Sequence, residues 1–171
     1  MRKKLFRSLV LFSMLSSLLL SILLIGGMYM YFSNQLQTQL RDEAESLVAT
    51  LEDQADPVGI LQSGIFVNRV TLIDADGVVV FDSEADITQM ENHANRPEII
   101  DAVSAGEGSA SRSSATIGET SIYYAEKLNA DYVIRVAGAL KNVWSTIRGM
   151  IGWIALGLIV STILAYQLAK P

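Results

Sequence analysis

The sequence predicts an α+β domain with a mostly antiparallel sheet, carried between two transmembrane helices. Three observations predict it. Two charge-free apolar segments, residues 8–40 and 149–169, stand near the two ends of the 171-residue chain. All 18 acidic residues lie between Asp42 and Asp131. Between the apolar segments, a four-residue apolar period gives way to short β-branched and aromatic runs separated by turn residues, the pattern of helices flanking a sheet.

Composition narrows the chemistry. The chain has no cysteine and one histidine. That excludes a disulfide framework, a zinc-thiolate site, an iron–sulfur cluster and a thiol nucleophile. The net charge of −5 argues against a nucleic-acid partner, because such binders carry a basic excess. Residues 33–148 hold 8 basic and 18 acidic side chains, a balance of −10. Arg2, Lys3, Lys4 and Arg7 precede the first apolar segment, and no acid accompanies them.

The elements follow in order. Residues 1–7 are a basic cytoplasmic terminus. Residues 8–32 form the first span, since roughly 20 apolar residues cross the hydrocarbon core. A cleaved signal peptide has a shorter apolar core and a small-residue cleavage site, and the first alanine here is Ala44, so an uncleaved anchor is expected. Residues 33–56 continue as a membrane-proximal helix. Its stripe of Leu36, Leu40, Ala44, Leu47, Leu51 and Ala55 repeats at helical spacing, and Asp56-Pro57 stops it. Packing on its own sheet and packing on a second copy are both open for this stripe.

An outer domain occupies residues 57–140. Residues 67–74 and 78–82 read as strands of a hairpin closed by Ala75-Asp76-Gly77. Ser83 with Asp86 resembles a capping box for a short helix reaching Met90. Pro97 opens another helix, Ile99, Ile100 and Val103 form its apolar face, and Gly106 caps its end. Strands are expected at about 109–116, 121–128 and 132–137, with turns at Gly118 and Asn129-Ala130-Asp131. Residues 141–169 form an exit helix and the second span, and residues 170–171 begin a linker. The basic terminus places the N-terminus in the cytoplasm and residues 33–148 outside. Tyr29, Tyr31, Phe32 and Trp144 fall where an outer aromatic belt would be. Ser13, Ser17 and Ser21 in the first span, and Gly157, Ser161, Ala165 and Ala169 in the second, form small-residue stripes suited to helix packing in lipid.

Five residues are candidates for ligand binding. His93 is the lone histidine, and its ordinary pKa lies near physiological pH. Arg96, Arg112 and Arg135 can hold an anion, with Arg112 set among hydroxyls in Ser111-Arg112-Ser113-Ser114. Pairing of Arg96 with Glu98 or Asp101 is the competing reading. Tyr123 and Tyr124 alternate across a strand, so only one faces a given pocket, and Tyr124 is assigned to the anion group. The carboxylate pairs Asp74/Asp76 and Asp82/Glu84 complete no calcium loop, and no phosphate loop, nucleophile elbow or H-E-x-x-H is present. No catalytic or metal-ligating residue is assigned, and no cofactor.

These residues carry a family resemblance. Thr71-Leu-Ile-Asp-Ala-Asp-Gly-Val-Val-Val-Phe-Asp-Ser83 is followed by Met90-Glu-Asn-His-Ala-Asn-Arg-Pro-Glu98, then Gly106-Glu-Gly108, Arg112-Ser-Ser, Tyr123-Tyr-Ala and Val133-Ile-Arg-Val136. The ordered set, over about residues 65–140, resembles the outer sensor region of phosphate-regulon-type bacterial sensor histidine kinases. Residues 165–171, Ala165-Tyr-Gln-Leu-Ala-Lys-Pro171, resemble the opening of a HAMP linker. The resemblance implies a PAS-like (Cache-type) domain, a homodimer in the cell membrane, an unknown extracytoplasmic ligand, and a parent kinase that uses ATP and passes a phosphoryl group to a response regulator. The dimerisation helix and ATP-binding domain would lie beyond Pro171, so no catalytic role carries over to this sequence. Chemoreceptors and nucleotide cyclases share such a front end, and a membrane-anchored scaffold is a third reading.

Overall fold

The structure, a computed structural model, describes residues 2–113 and 120–168, without the side chains of residues 2–6, 113, 141–147, 165 and 168. Two compact units divide the chain: Met1–Phe32 with Lys141–Pro171, and Ser33–Leu140.

Helix α1 runs from Arg2 to Leu51. Its Arg7–Leu51 portion is long and apolar enough to cross a membrane, and none of its most apolar window is buried inside the protein. Leu11, Phe12, Leu15, Leu19 and Leu23 all point outward, as lipid-facing or partner-facing side chains do. Helix α4 spans Lys141–Leu168. Among the described residues its apolar run is Arg148–Leu164, which falls short of the roughly 20 residues that a span requires. Ser13, Ser17 and Ser21 are half-buried while the leucines beside them are exposed. Ser21 Oγ donates to Ser17 O at 2.8 Å and Ser161 Oγ to Leu158 O at 3.0 Å, so these hydroxyls are satisfied within their own helices. Among the described residues, nothing lies within 4 Å of a Cβ placed on Gly157. The side chains of Ala165 and Trp144, and residues Ala169, Lys170 and Pro171, lie outside the described residues.

The second unit is built on a five-stranded sheet. Strands β1 (Arg69–Asp74), β2 (Val79–Asp82), β3 (Glu107–Ser113), β4 (Thr120–Lys127) and β5 (Tyr132–Ala139) pair antiparallel in the order β2-β1-β5-β4-β3. The α+β class and the antiparallel sheet follow the sequence pattern. Strand β3 begins two residues before the expected start, β5 runs two residues past the expected end, and the turn at Gly118 lies outside the described residues.

Strand alternation gives the sheet two faces. On one face, Val70, Leu72, Ile122, Ile134 and Val136 meet the distal part of α1, whose Leu40, Ala44 and Leu51 are buried. Gly138 lets that helix approach, because an added Cβ would stand 3.0 Å from Leu36 and 3.3 Å from Leu40. The α1 stripe therefore packs on its own sheet. It ends at Leu51, earlier than the sequence suggests, and Ala55 is exposed. Asp56-Pro57 does not stop α1 but opens a short helix, α2 (Pro57–Gln62), with the Asp56 carboxylate accepting from Gly59 N at 2.9 Å. A proline at the first helical position serves a start as well as a stop.

On the other face, Ile73, Val79, Ala125 and Val133 pack against Ile99 and Ala102 of helix α3 (Pro97–Ala105). The expected apolar face of α3 is corrected here. Ile100 and Val103 are 51% and 52% exposed, while Glu98 is fully buried. Two constraints rotate the helix. Glu98 is drawn inward by arginines on the sheet, and the helix lies so close to Gly108 that a Cβ there would meet Glu98 O at 2.3 Å. Only glycine at 108 fits under that helix.

The segment after β2 also differs. Asp86, not Ser83, caps a single 3₁₀ turn (Ile87–Gln89), accepting from Thr88 N at 3.0 Å. Ser83 Oγ instead accepts from Val70 N at 3.0 Å, so the serine belongs to the sheet. The β1–β2 turn is as expected. Asp74 accepts from Asp76 N and Val78 N, and Gly77 sits at φ 81°. That turn is clamped by the segment before α3: Asn92 Nδ2 donates to Asp76 O at 2.8 Å and His93 N to Gly77 O at 2.8 Å.

Gly77→Ala would force a left-handed backbone on alanine and drive its Cβ to 2.5 Å from Ala94 N. A loss of about 2 kcal/mol or more is expected. Gly106→Ala, also at positive φ but facing open space, should lose only about 1 kcal/mol. Urea unfolding of the full chain in detergent, followed by sheet signal, measures both, and equal losses would show that the Ala94 contact does not matter.

Candidate functional site

A cleft of about 360 Å³ opens on the α3 face of the sheet. Four arginines line it: Arg69 from β1, Arg96 at the start of α3, Arg112 from β3 and Arg135 from β5. They are four of the six basic residues in the 33–140 unit. Gln89, Met90, Glu91, His93 and Tyr123 complete its walls. An acidic domain thus concentrates its positive charge in one hollow.

Glu98 organises the base. Its carboxylate is fully buried and Oε1 accepts a hydrogen bond from Arg112 Nη2, with Arg135 Nη1 at 3.7 Å. Arg135, 4% exposed, donates from Nη2 to Thr71 Oγ1 at 3.1 Å. Thr71 Oγ1 donates in turn to Asp82 Oδ2 at 2.8 Å, and Asp82 also takes Arg69 Nε at 3.0 Å. Burial pushes the Asp82 carboxyl up, but hydrogen bonds from Glu84 N, Thr71, Ala85 N and Arg69 outweigh it and hold the group below the usual carboxylate range. The Tyr123 ring carries Arg112 at 4.0 Å and Arg135 at 5.4 Å from its centroid, so one aromatic ring steadies two cations.

Several buried polar atoms of this group have no hydrogen-bond partner: His93 Nδ1, Arg135 Nε and Glu98 Oε2. Buried polar atoms are nearly always paired, so three orphans beside one cleft are notable. Burial, then the nearby charges of Arg135 and Arg96, push His93 down to about 4, against a weaker opposing pull from Glu98. Burial likewise lowers Arg135 to about 10, with Glu98 opposing, which leaves it charged at neutral pH.

Four of the five predicted ligand residues, His93, Arg96, Arg112 and Arg135, meet at this cleft. The fifth does not. Tyr124 lies on the opposite face of β4, where its hydroxyl donates to Glu107. Burial and then that carboxylate raise its pKa. Tyr123, its neighbour, is the tyrosine of the cleft. The parity of β4 decides between them, and parity is not readable until the facing strand is known. The expected pairing of Arg96 is also different: it reaches Glu91 at 3.9 Å, while Glu98 turns inward to Arg112 and Arg135. Arg69 and Met90 were not singled out by sequence. Arg69 begins a strand next to a carboxylate-ended one, which is a weak signal for a cross-strand pair.

A larger hollow of about 600 Å³ lies at the β3 edge, beside Gln37 and Arg41 of α1, Asp101 and Ala105 of α3, and Glu107 and Tyr124. Its single arginine is already held by Glu45 at 2.7 Å and Glu107 at 3.5 Å. It offers a ligand little unspent charge, so the smaller cleft is the better site. Searches against protein-family models and against curated proteins find no match for this chain.

Glu98→Ala should cost about 3 kcal/mol, since it takes the carboxylate from buried Arg135 and half-buried Arg112. Chemical denaturation reads this, and a cost under 1 kcal/mol would mean the arginines find other partners. For His93, a depressed folded pKa means stability that is complete above the unfolded value of 6.5 and is lost as pH falls toward 4. His93→Gln should therefore flatten the stability curve between those pH values, by up to about 3 kcal/mol at the acid end.

Proposed function

We propose that this chain is the sensory and transmembrane signal-input portion of a two-component sensor histidine kinase, with a PAS-like (Cache-type) outer domain as the receptor. The arginine cleft is the ligand site and α4 the output. One observation carries the reading. Arg135, at the base of the cleft, stands on β5, and β5 runs through a single residue, Leu140, into the second apolar helix. A ligand that shifts Arg135 moves a strand whose next element is the route toward the cytoplasm. Only a difference in ligand affinity between two arrangements of that strand can bias the output. A shift of about 1–2 Å, of the kind that signalling helices make, is enough to carry it.

The apolar helices support a membrane setting. In this reading α1 anchors the domain with its N-terminus inside, α4 returns through the membrane, and residues 33–148 face outward. The chain works as a homodimer, and the parent kinase uses ATP and passes its phosphoryl group to a cytoplasmic response regulator.

Two measurements test this. Single cysteines at Ser63 and Asn129 in whole cells should react with an impermeant maleimide, while one at Ser8 should not; the reverse pattern overturns the orientation. A fusion of residues 1–171 to a histidine-kinase core should then change its autophosphorylation when Arg135 is replaced by Lys. Constant output from a folded, membrane-inserted fusion would sink the sensor reading.

A further inference from the structure

The charges around the cleft do not balance. Four arginines face three carboxylates: Asp82 holds Arg69, Glu98 is shared by Arg112 and Arg135, and Glu91 stands 3.9 Å from Arg96. His93 adds no charge to offset this near neutral pH. The surplus is one positive charge, or two if Glu91 is discounted, because that side chain is 88% exposed and swings freely in water. A buried guanidinium without a full complement of acceptors is costly. Arg135 is in that position: 4% exposed, with its Nε–H unspent. His93, 7% exposed, leaves Nδ1 unspent beside it. Both residues line the hollow.

The vacant groups have a geometry. Arg135 is fixed by Thr71, Glu98 and the Tyr123 ring, so its free edge is held still. Arg96 stands at the rim with a guanidinium that has only a loose partner. A planar guanidinium fork matches the two oxygens of a carboxylate or two oxygens of a phosphate group. Met90 and the Tyr123 ring give the same hollow an apolar side, against which a carbon frame can lie. At about 360 Å³ the volume is at the small end of ligand pockets, which suits a molecule of a few carbons and excludes a large one.

We infer that the cleft binds a small organic oxyanion, a carboxylate or phosphate group on a short carbon frame. The oxyanion lies between Arg135 and Arg96 with His93 beside it, and the carbon frame lies against Met90 and Tyr123. The inference rests on the cleft being the receptor site proposed above, but it is tested by binding alone. A dianion would satisfy both arginines at once. It would draw Arg96 inward from Glu91 and close the rim over α3, which gives the bound and free arrangements different structures. Selectivity for anions arises despite the net −10 of residues 33–148, because the site is local and partly desolvated whereas the acidic field is screened within about a Debye length.

The test uses the full chain in detergent micelles, with thermal unfolding followed by intrinsic fluorescence. The probes are succinate, glycerol phosphate and inorganic phosphate, each against sodium chloride of matched ionic strength, with neutral succinamide as control. Succinate or glycerol phosphate should raise the midpoint by several degrees, and succinamide should not. Arg96→Gln, at a rim position where folding is undisturbed, should weaken the effect at least tenfold. Arg41→Gln, outside the cleft, should leave it unchanged. The inference is overturned if no organic anion exceeds chloride, if inorganic phosphate alone does so, or if Arg96→Gln binds as well as the parent. Binding that depends on Arg96 but leaves the kinase fusion silent keeps this assignment and sinks the sensor reading. A fusion that responds to succinate independently of Arg96 does the opposite.

Discussion

The buried carboxylate of Glu98 is the constraint on which the rest of the outer domain depends. It is the acid that α3 carries into the sheet, and it ties a helix to two strands that are not neighbours, β3 through Arg112 and β5 through Arg135. Burying such a group is expensive unless its charge is matched. Matching it from two sides leaves little freedom in where α3 can sit. The helix must present Glu98 inward, so Ile99 and Ala102 follow it into the core while Ile100 and Val103 turn to solvent. A purely apolar packing would have chosen the more hydrophobic stripe. The position of the Arg96 rim and of the clamp on Gly77 through His93 both follow from where α3 begins.

The same choice explains why the domain has a cleft. Ion pairs fix where the arginines stand, Arg69 on Asp82 and both Arg112 and Arg135 on Glu98. The space between Arg135 and Arg96 is not filled by a side chain of the fold. Apolar residues there would strand a buried cation, and another carboxylate would close the site. What remains is a hollow lined by Arg69, Arg96, Arg112 and Arg135. Such an arrangement costs stability, which globular domains generally tolerate only at functional sites.

Much of the architecture was legible in the sequence. The hairpin at Asp76-Gly77 was readable because left-handed turns have a narrow residue preference. The long helix was readable because its stripe keeps period over the five positions from Leu36 to Leu51, and the sixth, Ala55, falls past its end. Helix α2 was not, since Asp56-Pro57 signals a boundary without saying which side is helical. The face of α3 was misread because hydrophobicity favoured Ile100 and Val103, and the force that overruled it acts between residues 14 and 37 positions apart, Glu98 to Arg112 and Arg135. The site was legible in its cations and not in its aromatic. Arg96, Arg112, Arg135 and His93 stand out by chemical rarity in an acidic domain. Choosing Tyr124 over Tyr123 needed the parity of a strand, and parity is set by tertiary packing rather than by local sequence.

The two faces of the sheet have different mechanical properties, and this bears on how a signal could leave the domain. The α1 face is held by close apolar contact, Leu36 and Leu40 against Gly138, where interiors are stiff and transmit displacement. The α3 face combines an apolar cluster, Ile99 and Ala102 on Ile73, Val79, Ala125 and Val133, with directed charge contacts that can exchange partners. Strand β5 belongs to both: Arg135 faces the cleft and Val136 the α1 side. In the sensor reading proposed above, an anion that takes up the spare capacity of Arg135 would change forces on the adaptable face. The stiff face gives the strand little room to yield sideways, so displacement along the strand is the direction left open, and that direction ends at α4.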